Sequence, residues 1–118
     1  MQEIDRAFLA DEVVACLPFM LEAGYSARSG ADHATLLGYL ARLQRALIDA
    51  AAEDRALAAQ AQLARSGHHR LKPPDLLIAA LADRHGYGVL HYDKDFDVIL
   101  QHTDLEFESV WLAPQGSL

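Results

Sequence analysis

Four acidic side chains, Glu22, Asp75, Asp93 and Asp95, stand where the local sequence would set them beside a ligand. Asp75 follows Pro73 and Pro74, and proline is tolerated in the first turn of a helix, where its missing amide hydrogen would have had no partner. Asp75 therefore belongs to a helix N-terminus, whose macrodipole favours the ionised carboxylate. Asp93 and Asp95 follow the short apolar run that begins at Val89 and Leu90. In open parallel sheets the ligand crevice lies outside the C-terminal ends of the strands, so acids there point at a site. Glu22 comes one turn into a helix opened by Pro18, among Phe19, Met20, Leu21, Ala23 and Gly24. A carboxylate in apolar surroundings needs a cation or a metal to offset its desolvation. The alternative makes Asp75 a helix cap, Asp93 and Asp95 solvated turn acids, and Glu22 an exposed acid paired with Arg28.

If the acids converge, they form a pocket of oxygen ligands. Such a pocket, with no Cys or His at metal-ligand spacing, suits Mg²⁺ or Mn²⁺ better than Zn²⁺ or copper. Mg²⁺ held by a few carboxylates keeps positions for water and phosphate oxygens, and phosphodiester hydrolysis is the natural chemistry.

The elements that would position these acids can be read from periodicity and punctuation. Leu76 to Ala82 is apolar on every face, as in a helix buried on most sides, and Gly86 stands where a helix ends. Val89 and Leu90 open a strand of the kind covered on both faces. The grammar is repeated earlier: Val13 to Cys16 is a second short apolar run, followed by Pro18 and Glu22. Between the two motifs, Ala31 to Ala46 carries leucines at helical spacing, and Ala50 to Ser66 is an alanine-rich helix ended by Gly67. A short strand is expected near Ile48, a last strand over Phe107 to Leu112, and a loose tail over residues 113–118. The fold class is α/β, a short parallel sheet flanked by helices, in one domain over residues 1–118.

The segments Pro74-Asp75-Leu-Leu-Ile-Ala-Ala, His85-Gly86 and Leu90-His-Tyr-Asp93-Lys-Asp95-Phe96-Asp97 resemble the PIN domain, specifically the VapC toxins of bacterial toxin–antitoxin pairs. Leu17-Pro18-Phe-Met-Leu-Glu22-Ala-Gly-Tyr25-Ser-Ala-Arg28 is similar to the second acidic motif of that family. The likeness runs from about Leu9 to Leu118. It implies an endoribonuclease in which Asp75, Asp93 and Asp95 hold Mg²⁺ or Mn²⁺ and Glu22 binds a second ion or orients the attacking water. It also implies a homodimer and an antitoxin whose basic C-terminal segment enters an acidic cleft.

The family also opens with a hydrophobic strand ending in an aspartate that is a principal metal ligand, and this sequence shows no such segment. Asp5 lacks an apolar strand before it, and Ile4, Ala7, Phe8 and Leu9 read as the end of a helix. The expectation is a PIN-like domain without its first strand, weakly active until that aspartate is restored. The alternative function is a catalytically impaired toxin that dimerises or binds antitoxin.

The chain has 118 residues, 52% hydrophobic and 23% charged, which is enough apolar material for the core of one domain. No apolar stretch approaches the ~20 residues of a membrane span, no secretory signal opens the sequence, and a cytoplasmic location is expected. The net charge of −7 argues against a broad basic face for nucleic acid; an RNase reaching phosphate through a cation needs none. Cys16, alone, reads as a small core residue; His68, His69 and Arg70 read as a structural loop, and His91 as a hydrogen-bonded core histidine.

Overall fold

The computed structural model of the chain describes residues 14–91 and 93–111. Val13, Asp5, the helix end expected at Ile4 to Leu9 and the tail at 113–118 lie outside the described residues. The element order is β1 (Val14–Ala15), α1 (Leu17–Tyr25), α2 (Gly30–Leu40), β2 (Gln44–Arg45), α3 (Ala50–Arg65), α4 (Pro73–His85), β3 (Val89–His91), α5 (Asp95–His102) and β4 (Ser109–Trp111). The chain divides into two compact units, Met1–Leu47 and Ile48–Leu118. Each holds one parallel strand pair.

In the first unit, β1 pairs with β2, Val14 opposite Gln44 and Ala15 opposite Arg45. The Ala46 amide extends the pairing by donating to the Ala15 carbonyl at 2.8 Å. The helix read from Ala31 to Ala46 therefore stops at Leu40, and the strand expected near Ile48 falls at Gln44–Arg45. The leucine spacing continues through Leu43, but a turn at 41–43 brings the chain alongside β1, and the strand bonds replace the next helical turn. Pro18 occupies the first turn of α1. Ser29 caps α2 by accepting from the Asp32 amide at 3.1 Å. Ala15, Met20 and Leu40 form the small core, with Leu36, Leu37 and Leu43 against it. Gly24 lets α1 and α2 approach: a Cβ there would stand 2.9 Å from His33 Nε2. The Cys16 thiol is buried, and burial raises its pKa against the smaller lowering effect of the Phe19 amide.

In the second unit, α4 is the central helix. Leu76, Ala79, Ala80, Leu81 and Ala82 are buried on it, as the all-apolar run from Leu76 to Ala82 requires. Ala59 and Leu63 of α3, Val89 of β3, Phe96 and Ile99 of α5 and Leu105 complete one cluster with it. The small alanines on α3 and α4 permit close helix packing, and burial stabilises by about 25 cal/mol per Å² of apolar surface removed from water. Gly86 takes φ +77° at the C-cap of α4, the left-handed conformation that glycine adopts without a Cβ clash. β3 then pairs with β4 in register Val89 to Ser109, Leu90 to Val110 and His91 to Trp111. The strand is not buried on both faces as expected: Val89 and His91 are buried, whereas Leu90 between them is exposed.

Candidate metal centre

The site is assembled where three local structures end. The two prolines begin α4, and Asp75 falls in its first turn, buried. β3 ends at His91, and the chain turns through Asp93 into α5, whose first helical residue is Asp95. The Asp93 side chain shapes this turn: its Oδ1 accepts from the Asp95 amide at 3.0 Å, doing for α5 what an N-cap side chain does. Its carbonyl accepts from the Phe96 amide at 3.3 Å.

As a result, Asp75, Asp93 and Asp95 each offer a carboxylate oxygen, all within 4.8 Å of one another. Neither Asp93 nor Asp95 is in an ion pair with a lysine or arginine among the described residues. Like charges this close repel, and a cation between them converts the repulsion into binding. Every donor is a carboxylate oxygen and none is a thiolate or imidazole, so the cluster suits a hard divalent cation. Asp75 stands in the first turn of α4, and a helix N-terminus favours a carboxylate there.

Glu22 lies in α1, in the first unit, and its side chain is exposed. The sequence suggested an acid in apolar surroundings. Helix geometry turns the apolar neighbours Met20 and Ala23 toward the small core and leaves Glu22 on another face. The ion pair with Arg28 weighed as its alternative is also absent among the described residues.

Behind the acids runs a hydrogen-bonded chain that the motif reading did not contain. The Asp93 amide donates to His91 Nδ1 at 3.1 Å. His91 Nε2 is 2.6 Å from Ser109 Oγ, and the Ser109 hydroxyl donates to Asp97 Oδ1 at 2.6 Å. With Nδ1 accepting, the proton of a neutral ring belongs on Nε2, and every donor in the chain then has one acceptor. Burial lowers the His91 pKa, opposed by the nearby Asp97 and Asp93 charges. The ring also packs on Phe96, centroids 4.8 Å apart. His91 is thus the hydrogen-bonded core histidine expected from sequence, but its partners were missed. Asp97 carried a signal, in the alternation His91, Asp93, Asp95, Asp97; Ser109 carried none, because strand register decides its place. Ser109 lies opposite Val89, and Val89 shares its strand face with His91.

Of the loop residues His68, His69 and Arg70, His68 is tied into the second unit, whereas His69 and Arg70 are exposed. His68 stacks against His102 of α5 with centroids 4.4 Å apart, and its amide donates to the Leu63 carbonyl at 2.8 Å.

A small α/β protein with a carboxylate cluster at the end of a parallel strand and the head of a helix is a class to which metal-dependent nucleases belong. The family profile of the PIN domain matches residues 2–99. Ribonuclease VapC51 of Mycobacterium tuberculosis is 40% identical over 98 residues, 83% of this chain and 70% of that protein. Ribonuclease VapC18 of the same organism is 37% identical over 115 residues, covering 95% of this chain and 82% of the relative. The VapC ribonuclease Mb1587 of Mycobacterium bovis is 35% identical over 108 residues, 88% and 81% of the two chains. The chain belongs to the PIN-domain family, in its VapC branch.

Proposed function

We propose that the chain is an endoribonuclease toxin that hydrolyses RNA phosphodiester bonds with a Mg²⁺ or Mn²⁺ ion held by Asp75, Asp93 and Asp95. The observation that carries this reading is the meeting of the three carboxylates within 4.8 Å in a PIN-domain chain whose relatives are named ribonucleases. When bound, the cation polarises the phosphate and offsets the charge that develops on its oxygens.

The protein's own part is placement and charge. Asp75 brings a carboxylate on a helix end; Asp93 and Asp95 bring two more on a turn whose backbone is tied into α5. These three carboxylates would hold the cation, and a Mg²⁺ or Mn²⁺ ion held by so few protein oxygens would remain accessible to water and phosphate. Glu22 matches the family's second acidic motif, and we assign it to the same reaction, binding a second ion or orienting the attacking water. This reading assigns no histidine as a base, and buried His91 is engaged on both ring nitrogens.

The partners follow the family pattern: a second copy of the chain and an antitoxin with a basic C-terminal segment. The net charge of −7 and the acid cluster favour such a segment over a second acidic protein. No helix among the described residues is long and apolar enough to cross a membrane. Cytoplasmic RNA is the substrate pool this reading requires.

Single-stranded RNA incubated with the purified protein in Mg²⁺ or Mn²⁺ provides the test. Cleavage that disappears with chelator and falls by about 100-fold or more in Asp93→Asn is expected. Cleavage that survives chelator, or that Asp93→Asn leaves unchanged, overturns the assignment.

A further inference from the structure

We propose that His91, Ser109 and Asp97 form a positioning relay that fixes Asp93 for cation binding. This rests on the metal-centre reading above and adds three side chains to it, none of them a carboxylate of the cluster.

Asp93 is held by its side chain and by its backbone. Its carboxylate is tied at Oδ1 by the Asp95 amide, and its backbone amide is tied to His91 Nδ1. The first bond is local to the turn. The second connects the turn to the buried face of β3, because His91 is only 5% exposed. An imidazole accepts at Nδ1 only in the tautomer that carries its proton on Nε2, and in this structure Nε2 faces the Ser109 hydroxyl at 2.6 Å. A hydroxyl can accept from Nε2 while donating elsewhere, and Ser109 donates to Asp97 Oδ1 at 2.6 Å. The carboxylate of Asp97, in the first turn of α5, thereby sets the direction of the whole chain of donors. β4, β3 and α5 each contribute one member, so the relay ties together the three elements around the Asp93 turn.

The relay matters because the cluster works against itself. Three carboxylates within 4.8 Å repel in the absence of a cation, and the turn residue Asp93 is more easily displaced than Asp75 on its rigid helix. Restraint that keeps Asp93 in place before the cation arrives lowers the cost of ordering it upon binding. Groups that orient a metal ligand without touching the metal are commonly worth about 10- to 100-fold in affinity.

Two measurements on the full chain test this, both independent of RNA cleavage. The first is the ¹⁵N spectrum of His91 in the metal-free wild type at neutral pH: a single Nε2–H tautomer is expected, and an Nδ1–H ring overturns the relay. The second is Mn²⁺ affinity, read from the paramagnetic resonance signal of free Mn²⁺. Ser109→Ala is expected to weaken binding about tenfold, and Ser109→Thr, which returns the hydroxyl, to recover wild-type affinity to within about twofold. Ser109→Ala with wild-type affinity overturns the proposal, as does Ser109→Thr no better than Ser109→Ala. If Ser109→Ala fails to fold, the wild-type tautomer and Ser109→Thr still decide. Asp75→Asn separates the two levels. If it also binds Mn²⁺ like the wild type, the metal-centre reading itself falls and the relay's role with it. If it loses Mn²⁺ while Ser109→Ala retains it, only the relay falls.

Discussion

The second unit contains two sets of aspartates with opposite surroundings. Asp83 and Asp49 each meet an arginine: Asp83 Oδ2 lies 3.0 Å from Arg55 Nε, and Asp49 Oδ2 lies 2.9 Å from Arg84 Nη2. Both also serve the backbone, Asp83 accepting from the Glu106 amide and Asp49 from the Ala52 amide, each at 2.9 Å. These acids fasten α3 to α4, and Asp83 also holds the approach to β4. Asp75, Asp93 and Asp95 instead meet one another. The same side chain fastens helices where an arginine faces it, as at Asp83 and Asp49, and gathers with other carboxylates at Asp75, Asp93 and Asp95. Asp83 and Asp75 even share one helix, two turns apart, so the element does not decide the role. The neighbours brought by the fold do.

The sharpest way to break this contrast is to remove one charge from each set. Asp93→Asn keeps an oxygen to accept from the Asp95 amide and deletes only the charge. Cleavage should fall by about 100-fold or more, on the scale at which one electrostatic contact to a developing charge is worth. Thermal melting without metal should be unchanged or higher, since repulsion has been relieved, and Mn²⁺ should raise the melting temperature of the wild type but not of the variant. A metal-free Asp93→Asn protein much less stable than the wild type would show that Asp93 belongs with the fasteners.

The converse effect is smaller. Asp83→Ala removes an ion pair and leaves the Glu106 amide without its acceptor, and a loss of about 1–2 kcal/mol in denaturant unfolding is expected, with Mn²⁺ affinity preserved. An Asp83→Ala protein that unfolds normally but loses Mn²⁺ would merge the two sets.

The smallest expected effect is a pH dependence. The Asp49 carboxyl is held below its ordinary value, chiefly by the Ala52 amide and then by Arg84 against some desolvation. A depressed folded-state pKa lends stability above the unfolded value, about 3.9, and loses it as pH falls through the folded one. The melting-temperature gap between wild type and Asp49→Ala should therefore be open at pH 6 and narrow toward pH 3. A gap constant over that range would mean that the ionised form contributes nothing.

Sequence went furthest where chemistry is local. Pro73 and Pro74 dictate a helix start because proline costs nothing there, and that alone puts Asp75 at an N-terminus. The unbroken apolar run from Leu76 to Ala82 requires burial, and Gly86 is where a left-handed residue can end α4. With Asp93 and Asp95 following a short apolar strand, three members of the candidate cluster were legible, together with the family. What local pattern could not supply was pairing across distance. The stop of α2 at Leu40 is decided by β1, some 25 residues earlier, whose hydrogen bonds compete with the helix that the leucines favour. The exposure of Glu22 follows from which face of α1 meets the core, and apolar flanking residues do not reveal that. Ser109 reaches His91 only because β3 and β4 pair in one register out of several that their short sequences allow, and a one-residue slip would turn the hydroxyl to the other face. Helix ends and charge types are written in neighbouring residues; strand register, and with it the partners of each acid, is set only when distant segments meet and satisfy one another's hydrogen bonds.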